Sequence, residues 1–141
     1  MLINTDKPPS MDTTRIFNSS KFFQPTDGEP IRSVIAESPD ATIVAWYIQP
    51  QQAIPAHQHP YGQDTWTILS GQGEYYLDRA GNTTSIQMGD IVIAPKGAVH
   101  GVINRGNEPL VFISVVSPAT AGYELIADLE PIEPPLIPSL L

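Results

Sequence analysis

Two histidines separated by a single residue are the part of the sequence with the clearest capacity for chemistry. His57 and His59 lie in an extended-looking stretch, residues 53–71. In a strand, side chains repeat every two residues, so both rings would lie on one face. Asp64 follows at the start of a segment rich in β-branched and aromatic residues, which is typical of a second strand. Imidazole and carboxylate together bind divalent metals, so the pattern predicts a metal site.

The third histidine of the chain lies in a segment with its own regular spacing. Gly89 is followed by five residues, then Pro95-Lys-Gly97, two residues, His100, three residues and Asn104. The glycine and the proline bound a short apolar segment that is typical of a buried strand, and the turn at Pro95 would redirect the chain so that the strand with His100 runs back along the barrel. His100 can therefore approach the first two histidines.

These two segments resemble the two conserved motifs of the cupin superfamily. The first motif is matched by His57-x-His59, four residues, the acid Asp64, six residues and Gly71, and the second by the spacing around the third histidine. Two positions depart from the family pattern. Gln51 stands where the first motif usually begins with glycine, and Asp64 stands where the family usually has glutamate, which is one methylene longer.

The resemblance implies an all-β fold, the cupin double-stranded β-helix or jelly-roll barrel, over residues 31–117. The residues support this independently, since short β-branched segments alternate with turns and no helical apolar period extends over ten residues before position 119. Residues 1–30 are expected to form an N-terminal arm and edge strand. Residues 118–141 are expected to form a short helix, ended by Pro131, and a proline-rich tail that is either disordered or packed on the barrel or on a neighbouring subunit.

The resemblance also implies a cofactor, one divalent transition metal ion per chain, of Mn, Fe, Ni or Zn type. The expected ligands are His57, His59, His100 and Asp64. Gln63 is the alternative fourth ligand, because its amide oxygen can also coordinate a metal and it has a spacing that the family permits. The two neighbours would point to opposite faces of a strand, so only one of them can reach the ion. Asp64 is favoured because its spacing fits the first motif better.

Three further residues are candidates for contact with a bound molecule. Tyr61 lies in the loop between the ligands, and Trp66 shares the strand face of the acidic ligand, so both are expected in a substrate pocket. Arg32, near the start of an early strand, is interpreted as a solvated surface charge, with binding of an anionic group as the alternative.

Composition limits the classes of protein that remain. The 141 residues, 41% of them apolar, are enough for one domain with a single core. A net charge of −8 disfavours nucleic-acid binding. The chain has no cysteine, no long apolar run and no signal-peptide pattern, which predicts a cytoplasmic protein without a membrane partner. The expected partners are a small-molecule ligand or substrate and, as the resemblance implies, a second copy of the chain in a homodimer.

Fold resemblance alone leaves two classes of function open, because cupin barrels host both enzymes and binding proteins. The first is a metal-dependent enzyme of the dioxygenase, cyclase or isomerase type that acts on an oxygen-bearing small molecule, and polyketide-cyclase-like proteins are similar in size. The second is a non-catalytic, metal-stabilised binding or sensing module. An open metal site with a base nearby would favour the enzyme, and a closed coordination sphere would favour the module.

Overall fold

A computed structural model describes residues 14–126 of the chain. Their regular structure is ten β-strands and one short 3₁₀ turn, Ser19–Lys21. The strands are β1 Ser33–Ser38, β2 Ala41–Ile48, β3 Ala53–Gln58, β4 Gln63–Ser70, β5 Gln72–Tyr76, β6 Thr83–Gln87, β7 Ile91–Ala94, β8 His100–Ile103, β9 Leu110–Ser117 and β10 Glu124–Leu125.

The strands form two five-stranded sheets that pack face to face. One sheet has the order β1-β2-β9-β4-β7 and the other has the order β10-β3-β8-β5-β6, with antiparallel pairing throughout. Strands distant in the sequence are neighbours in space, as β2 and β9 are. This is a jelly-roll barrel, and the predicted all-β fold class is confirmed.

Alternation along β4 and β9 determines what lies inside the barrel. On β4, Trp66 and Ile68 point inward while Thr67 is exposed. The two strands are adjacent, and the Trp66 ring stacks on that of Phe112 from β9 at 4.1 Å between ring centroids. The largest apolar cluster gathers at one end of the barrel around Ile48, Ile68, Val102, Leu110 and Phe112, all nearly inaccessible to solvent.

The turn before β3 contains the first departure from the family pattern. Gln51 has φ +74° and is the one residue other than glycine with a positive φ among residues 14–126. The peptide hydrogen bond from Gln51 N to Asn104 O, at 2.7 Å, holds it there. A side chain in this left-handed region is strained, which explains why glycine is usual at this position.

The two ends of the chain differ from expectation. No edge strand forms in residues 14–30, where Asn18 accepts hydrogen bonds from the backbone and side chain of Ser20 and starts the 3₁₀ turn instead. No helix forms in residues 119–126. Gly122 has φ +81°, which a helix cannot contain, and Ile126 N donates to Ala56 O as this segment extends along β3. Residues 1–13 and 127–141, with the rest of the predicted helix and the tail, lie outside the described residues.

No helix in the described part of the chain has the length and apolar character needed to cross a bilayer.

Candidate metal centre

Four side chains from three strands and one loop converge at the polar end of the barrel. His57 on β3 lies opposite His100 on β8 in the strand register, with their ring centroids 4.1 Å apart. His59 follows β3 by one residue, and Asp64 comes from β4 in the facing sheet. One ligand atom from each of the four residues lies within 4.8 Å of those of all the others, and all four side chains are buried.

The Nδ1 atom of every histidine in this cluster is hydrogen-bonded to a backbone carbonyl oxygen. A carbonyl oxygen can only accept, so each Nδ1 carries the proton, and in a neutral ring the lone pair is on Nε2. The accepting carbonyls are those of Pro55, Gly122 and Ala98, at 2.8, 2.7 and 3.0 Å from Nδ1 of His57, His59 and His100 respectively. Three Nε2 lone pairs are thereby prepared as ligands, the arrangement that metal-binding histidines usually show.

The carboxylate of Asp64 faces these lone pairs directly. Its Oδ2 lies 3.0 Å from His100 Nε2 and 3.5 Å from His59 Nε2, while its Oδ1 accepts a hydrogen bond from Ser114 Oγ at 2.5 Å. When the rings are neutral, the Nε2 atoms and the carboxylate oxygen are all acceptors, so they repel each other unless a proton or a cation lies between them. His59 Nε2 is buried and has no hydrogen-bond partner. This unsatisfied atom and the donor set together fit a divalent metal ion.

Protonation of the cluster follows from burial and from the neighbouring charges. Burial, with repulsion from His100, lowers the pKa of His57 to about 3, so this ring is neutral at physiological pH. Burial raises the pKa of Asp64, but the interactions of its carboxylate with the rings of His100 and His59 outweigh that effect and hold the pKa well below its usual value. Burial lowers the pKa of His59, as it does that of His57. Contacts of His59 with Asp64 and with the Gly122 carbonyl outweigh this effect, so its pKa is raised above the usual value. The carboxylate is therefore ionised and at least one histidine is free of a competing proton.

A cavity of about 550 Å³ reaches this cluster from the surface. Its wall carries both tryptophans of the chain, Trp46 and Trp66, together with the aliphatic side chain of Ile54. Arg32 and Glu29 bring opposite charges to its exposed rim. The volume lies within the range of small-molecule sites, and the mixture of apolar walls with a few polar groups is typical of them.

Of the other predicted site residues, Trp66 lies in the cavity wall, whereas the side chains of Gln63 and Tyr61 are exposed. Trp66 is 2% exposed and lines the cavity, as expected. Gln63 has an exposed side chain whose amide donates to Thr65 Oγ1 at 3.3 Å, so it is not brought to the cluster. Tyr61 is 68% exposed and does not line the cavity, because its backbone N–H is tied to Ala121 O and the ring points outward. Contact of Tyr61 with a bound molecule therefore stays a prediction.

Three residues of the site were missed by sequence reasoning. Gly122 and Tyr123 form an outer wall, where the tyrosine ring lies 5.1 Å from that of His57, between centroids. They were overlooked because the segment was interpreted as a helix, although a glycine inside it was a sign of a break. Ser114, which orients Asp64, is a buried polar residue on the inward face of β9. A polar residue in step with inward apolar neighbours was the available indication.

Comparison with known proteins identifies the family. The cupin domain matches residues 44–116, more than half of the sequence, and the chain belongs to the cupin family. A crystal structure of a conserved protein with a double-stranded β-helix domain from Klebsiella pneumoniae subsp. pneumoniae is 48% identical. The match covers 79% of this chain and 96% of that one, with a TM-score of 0.76.

Two relatives of named source are more distant. A protein of unassigned function from Aquifex aeolicus is 36% identical over 70 residues, which are 50% of this chain and 55% of that protein. A gentisate 1,2-dioxygenase from Streptomyces sp. is 28% identical over 94 residues, which are 60% of this chain and 26% of the enzyme. The chain thus spans about half the length, or less, of the curated relatives that it matches. The cupin relatives include enzymes.

Proposed function

We propose that this cupin is a metal-dependent enzyme that acts on an oxygen-bearing small molecule. The observation that carries the proposal is the convergence of three histidine Nε2 atoms and one carboxylate at the inner end of a cavity of about 550 Å³. A structural ion would be enclosed by its ligands, whereas a catalytic site keeps a position open to water or substrate. The cavity supplies that access.

The residues of the cluster have separable roles in this proposal. His57, His59 and His100 would hold the ion through Nε2, with Nδ1 anchored by carbonyls. Asp64 would offset part of its charge, and Ser114 occupies the other carboxylate oxygen so that a single oxygen faces the ion. When bound, a divalent transition metal polarises an oxygen function or activates dioxygen.

Dioxygenase chemistry is favoured over cyclase or isomerase chemistry within this proposal. Its support is the relative named gentisate 1,2-dioxygenase, which aligns with 60% of this chain. The cavity wall, with two tryptophans, suits a flat organic substrate. The non-catalytic binding module remains the contrasting outcome of the test.

The proposal is tested by metal analysis and oxygen uptake on the same preparation. Protein purified without chelators should contain about one transition metal ion per chain, and it should consume oxygen with a hydroxylated aromatic substrate. His57→Ala should lose both properties, while Arg15→Gln, a change outside the cavity, should keep them. Protein without stoichiometric metal contradicts the proposal. Protein that holds metal and binds small molecules, but turns none of them over, is the binding module.

We also infer a homodimer in solution. β7 ends the strand order of its sheet and exposes Ile91 and Ile93, with Leu69 exposed on the neighbouring strand β4. Adjacent exposed apolar side chains are typical of contact surfaces, and twofold dimers are the commonest oligomers. Light scattering should give twice the 15.3 kDa of one chain, and the mass of a single chain at micromolar concentration would contradict the inference.

A further inference from the structure

The rim of the cavity carries a cation that the proposed metal chemistry does not use. Arg32, just before β1, is exposed and lines the cavity together with His59 and Asp64. Within residues 14–126, the guanidinium has neither a hydrogen bond nor an ion pair. Arginine is suited to bidentate recognition of a carboxylate, and no described residue occupies the guanidinium of Arg32.

The other charges of the cavity limit what the arginine can bind. Asp64 lies at the inner end, where a bound divalent ion would more than neutralise it. Glu29 shares the rim and makes no ion pair with Arg32 in the described structure. With the metal in place, the cavity therefore holds a net positive charge, which favours an anion over a neutral or cationic molecule.

Two aromatic side chains outside the ligand cluster, Trp46 and Tyr123, contribute to the wall of the cavity. Trp46 is half-buried and lines the cavity. The exposed ring of Tyr123, just before β10, lies against the ring of His57. Aromatic faces bury the flat surface of a conjugated or aromatic molecule at little entropic cost.

We propose that the cavity binds a planar molecule with a carboxylate, whose anionic end pairs with Arg32 and whose ring lies between Trp46 and Tyr123. This inference rests on the proposed function for what lies at the inner end, since the rest of the substrate would point toward the four-ligand cluster. The binding step itself needs no turnover, so it can be measured separately from any reaction.

The test is calorimetric titration of benzoate, its neutral counterpart benzamide, and acetate into metal-free and Zn²⁺-loaded protein. The parent should bind benzoate more tightly than either of the others. Arg32→Gln should weaken benzoate binding about tenfold in both forms and leave benzamide unchanged, because it removes a charge-assisted hydrogen bond. Arg32→Lys should recover part of the loss. A carboxylate held by the metal alone would bind Arg32→Gln as tightly as the parent, which would overturn the proposal.

Two control variants distinguish local recognition from general charge. Glu29→Gln should tighten benzoate binding because it removes a negative charge from the same rim, and weaker binding there would contradict the proposal. Arg15→Gln removes one positive charge outside the cavity and should change nothing. Acetate binding as tight as benzoate binding would refute the aromatic component.

Failure of this inference is distinguishable from failure of the proposed function. If the protein takes up no metal but metal-free protein binds benzoate in an Arg32-dependent manner, the anion site stands and the metal enzyme falls. If metal binds and benzoate affinity does not depend on Arg32, the anion site falls, and the metal enzyme is still decided by oxygen uptake.

Discussion

The two ends of the barrel interior are built by the same strands and have opposite properties. Along β4, Ile68 lies in the apolar cluster and Asp64 lies in the candidate metal centre. Along β9, Phe112 and Ser114 make the same contrast only two residues apart. At the apolar end, side chains pack with little exposure to solvent, and at the polar end a cavity remains open.

The difference separates stability from function within a single barrel. Burial of the apolar end is the main stabilising contribution, because it removes large aliphatic and aromatic surfaces from water. The polar end does the opposite, since it buries an ionised carboxylate and leaves His59 Nε2 without a hydrogen bond. Sites that break the rules of stable packing are commonly functional ones. Changes at the two ends should therefore have opposite consequences.

The largest expected effect is on metal affinity. His100→Ala removes one of three converging Nε2 atoms and should weaken metal binding by about two orders of magnitude or more. Metal-free protein should lose little stability, because the change also removes an acceptor that faces Asp64 Oδ2 at 3.0 Å. Competition titration with a chromophoric chelator and chemical unfolding give the two numbers. If the variant keeps its metal affinity but has a much lower free energy of unfolding, the role of His100 is structural and the prediction is wrong.

The reverse pattern is expected for the apolar end. Leu110→Ala should lower the free energy of unfolding by about 2–5 kcal/mol because Leu110 is fully buried in the apolar cluster. The affinity for metal at a temperature where the variant is folded should stay within about threefold. Leu110→Met conserves volume and should cost less than about 1.5 kcal/mol. Urea unfolding and metal titration of both variants measure these effects. A large loss of metal affinity in Leu110→Ala would contradict the separation of stability from metal binding.

Asn104 makes the comparison sharper, because it is a buried polar residue in the apolar end. Its amide donates to Ile48 O at 2.9 Å and Glu108 O at 2.8 Å, and its oxygen accepts from Gly106 N. Unlike His59, it is fully satisfied, so its role is structural. Asn104→Ala should lower the free energy of unfolding by about 1–3 kcal/mol without affecting the metal. Thermal unfolding with and without added metal would reveal a functional role if the metal-dependent shift disappeared.

The smallest effect is expected at the strained turn. Gln51→Gly should raise the free energy of unfolding by about 0.5–1 kcal/mol, because glycine tolerates φ +74° and because the change removes a buried amide oxygen without a partner. Gln51→Ala keeps the strain and serves as the control. Equal or lower stability of the glycine variant in urea unfolding would mean that the left-handed conformation is not strained here.

Much of the fold was accessible from the sequence because its determinants are local. Strand alternation predicted that the neighbours Asp64 and Gln63 point to opposite faces, and on β4 Asp64 is buried while the side chain of Gln63 is exposed. The spacing within each of the two histidine segments is local, because strand period and turn position are encoded within a few residues. The meeting of His57 with His100 depends in addition on the pairing of β3 with β8, which the resemblance to the cupin motifs implied.

The parts that failed depend on pairing between distant segments. Tyr123 reaches the cavity because β10 pairs with β3, some sixty residues earlier, as in the pair Glu124 and Gln58. A helical interpretation of that segment was locally reasonable and lost to this tertiary pairing. Tyr61 was assigned to the pocket from its place between ligands, but a loop position does not define the direction of a side chain, and its contact with a bound molecule stays a prediction. Which residues line the cavity depends on contacts between segments that are distant in the sequence.

We expect the cluster to hold a metal through Asp64 and not through Gln63, and parallel metal titration of Asp64→Asn and Gln63→Ala measures this difference. Asp64→Asn should weaken binding about 10–100-fold, because it removes the only carboxylate of the cluster at nearly unchanged volume. Its metal-free form should be at least as stable as the parent, since an amide can donate to the Nε2 lone pair at 3.0 Å. Gln63→Ala should bind metal within about twofold of the parent. If both variants bind metal as tightly as the parent, or if Gln63→Ala alone loses it, the account of this site is contradicted.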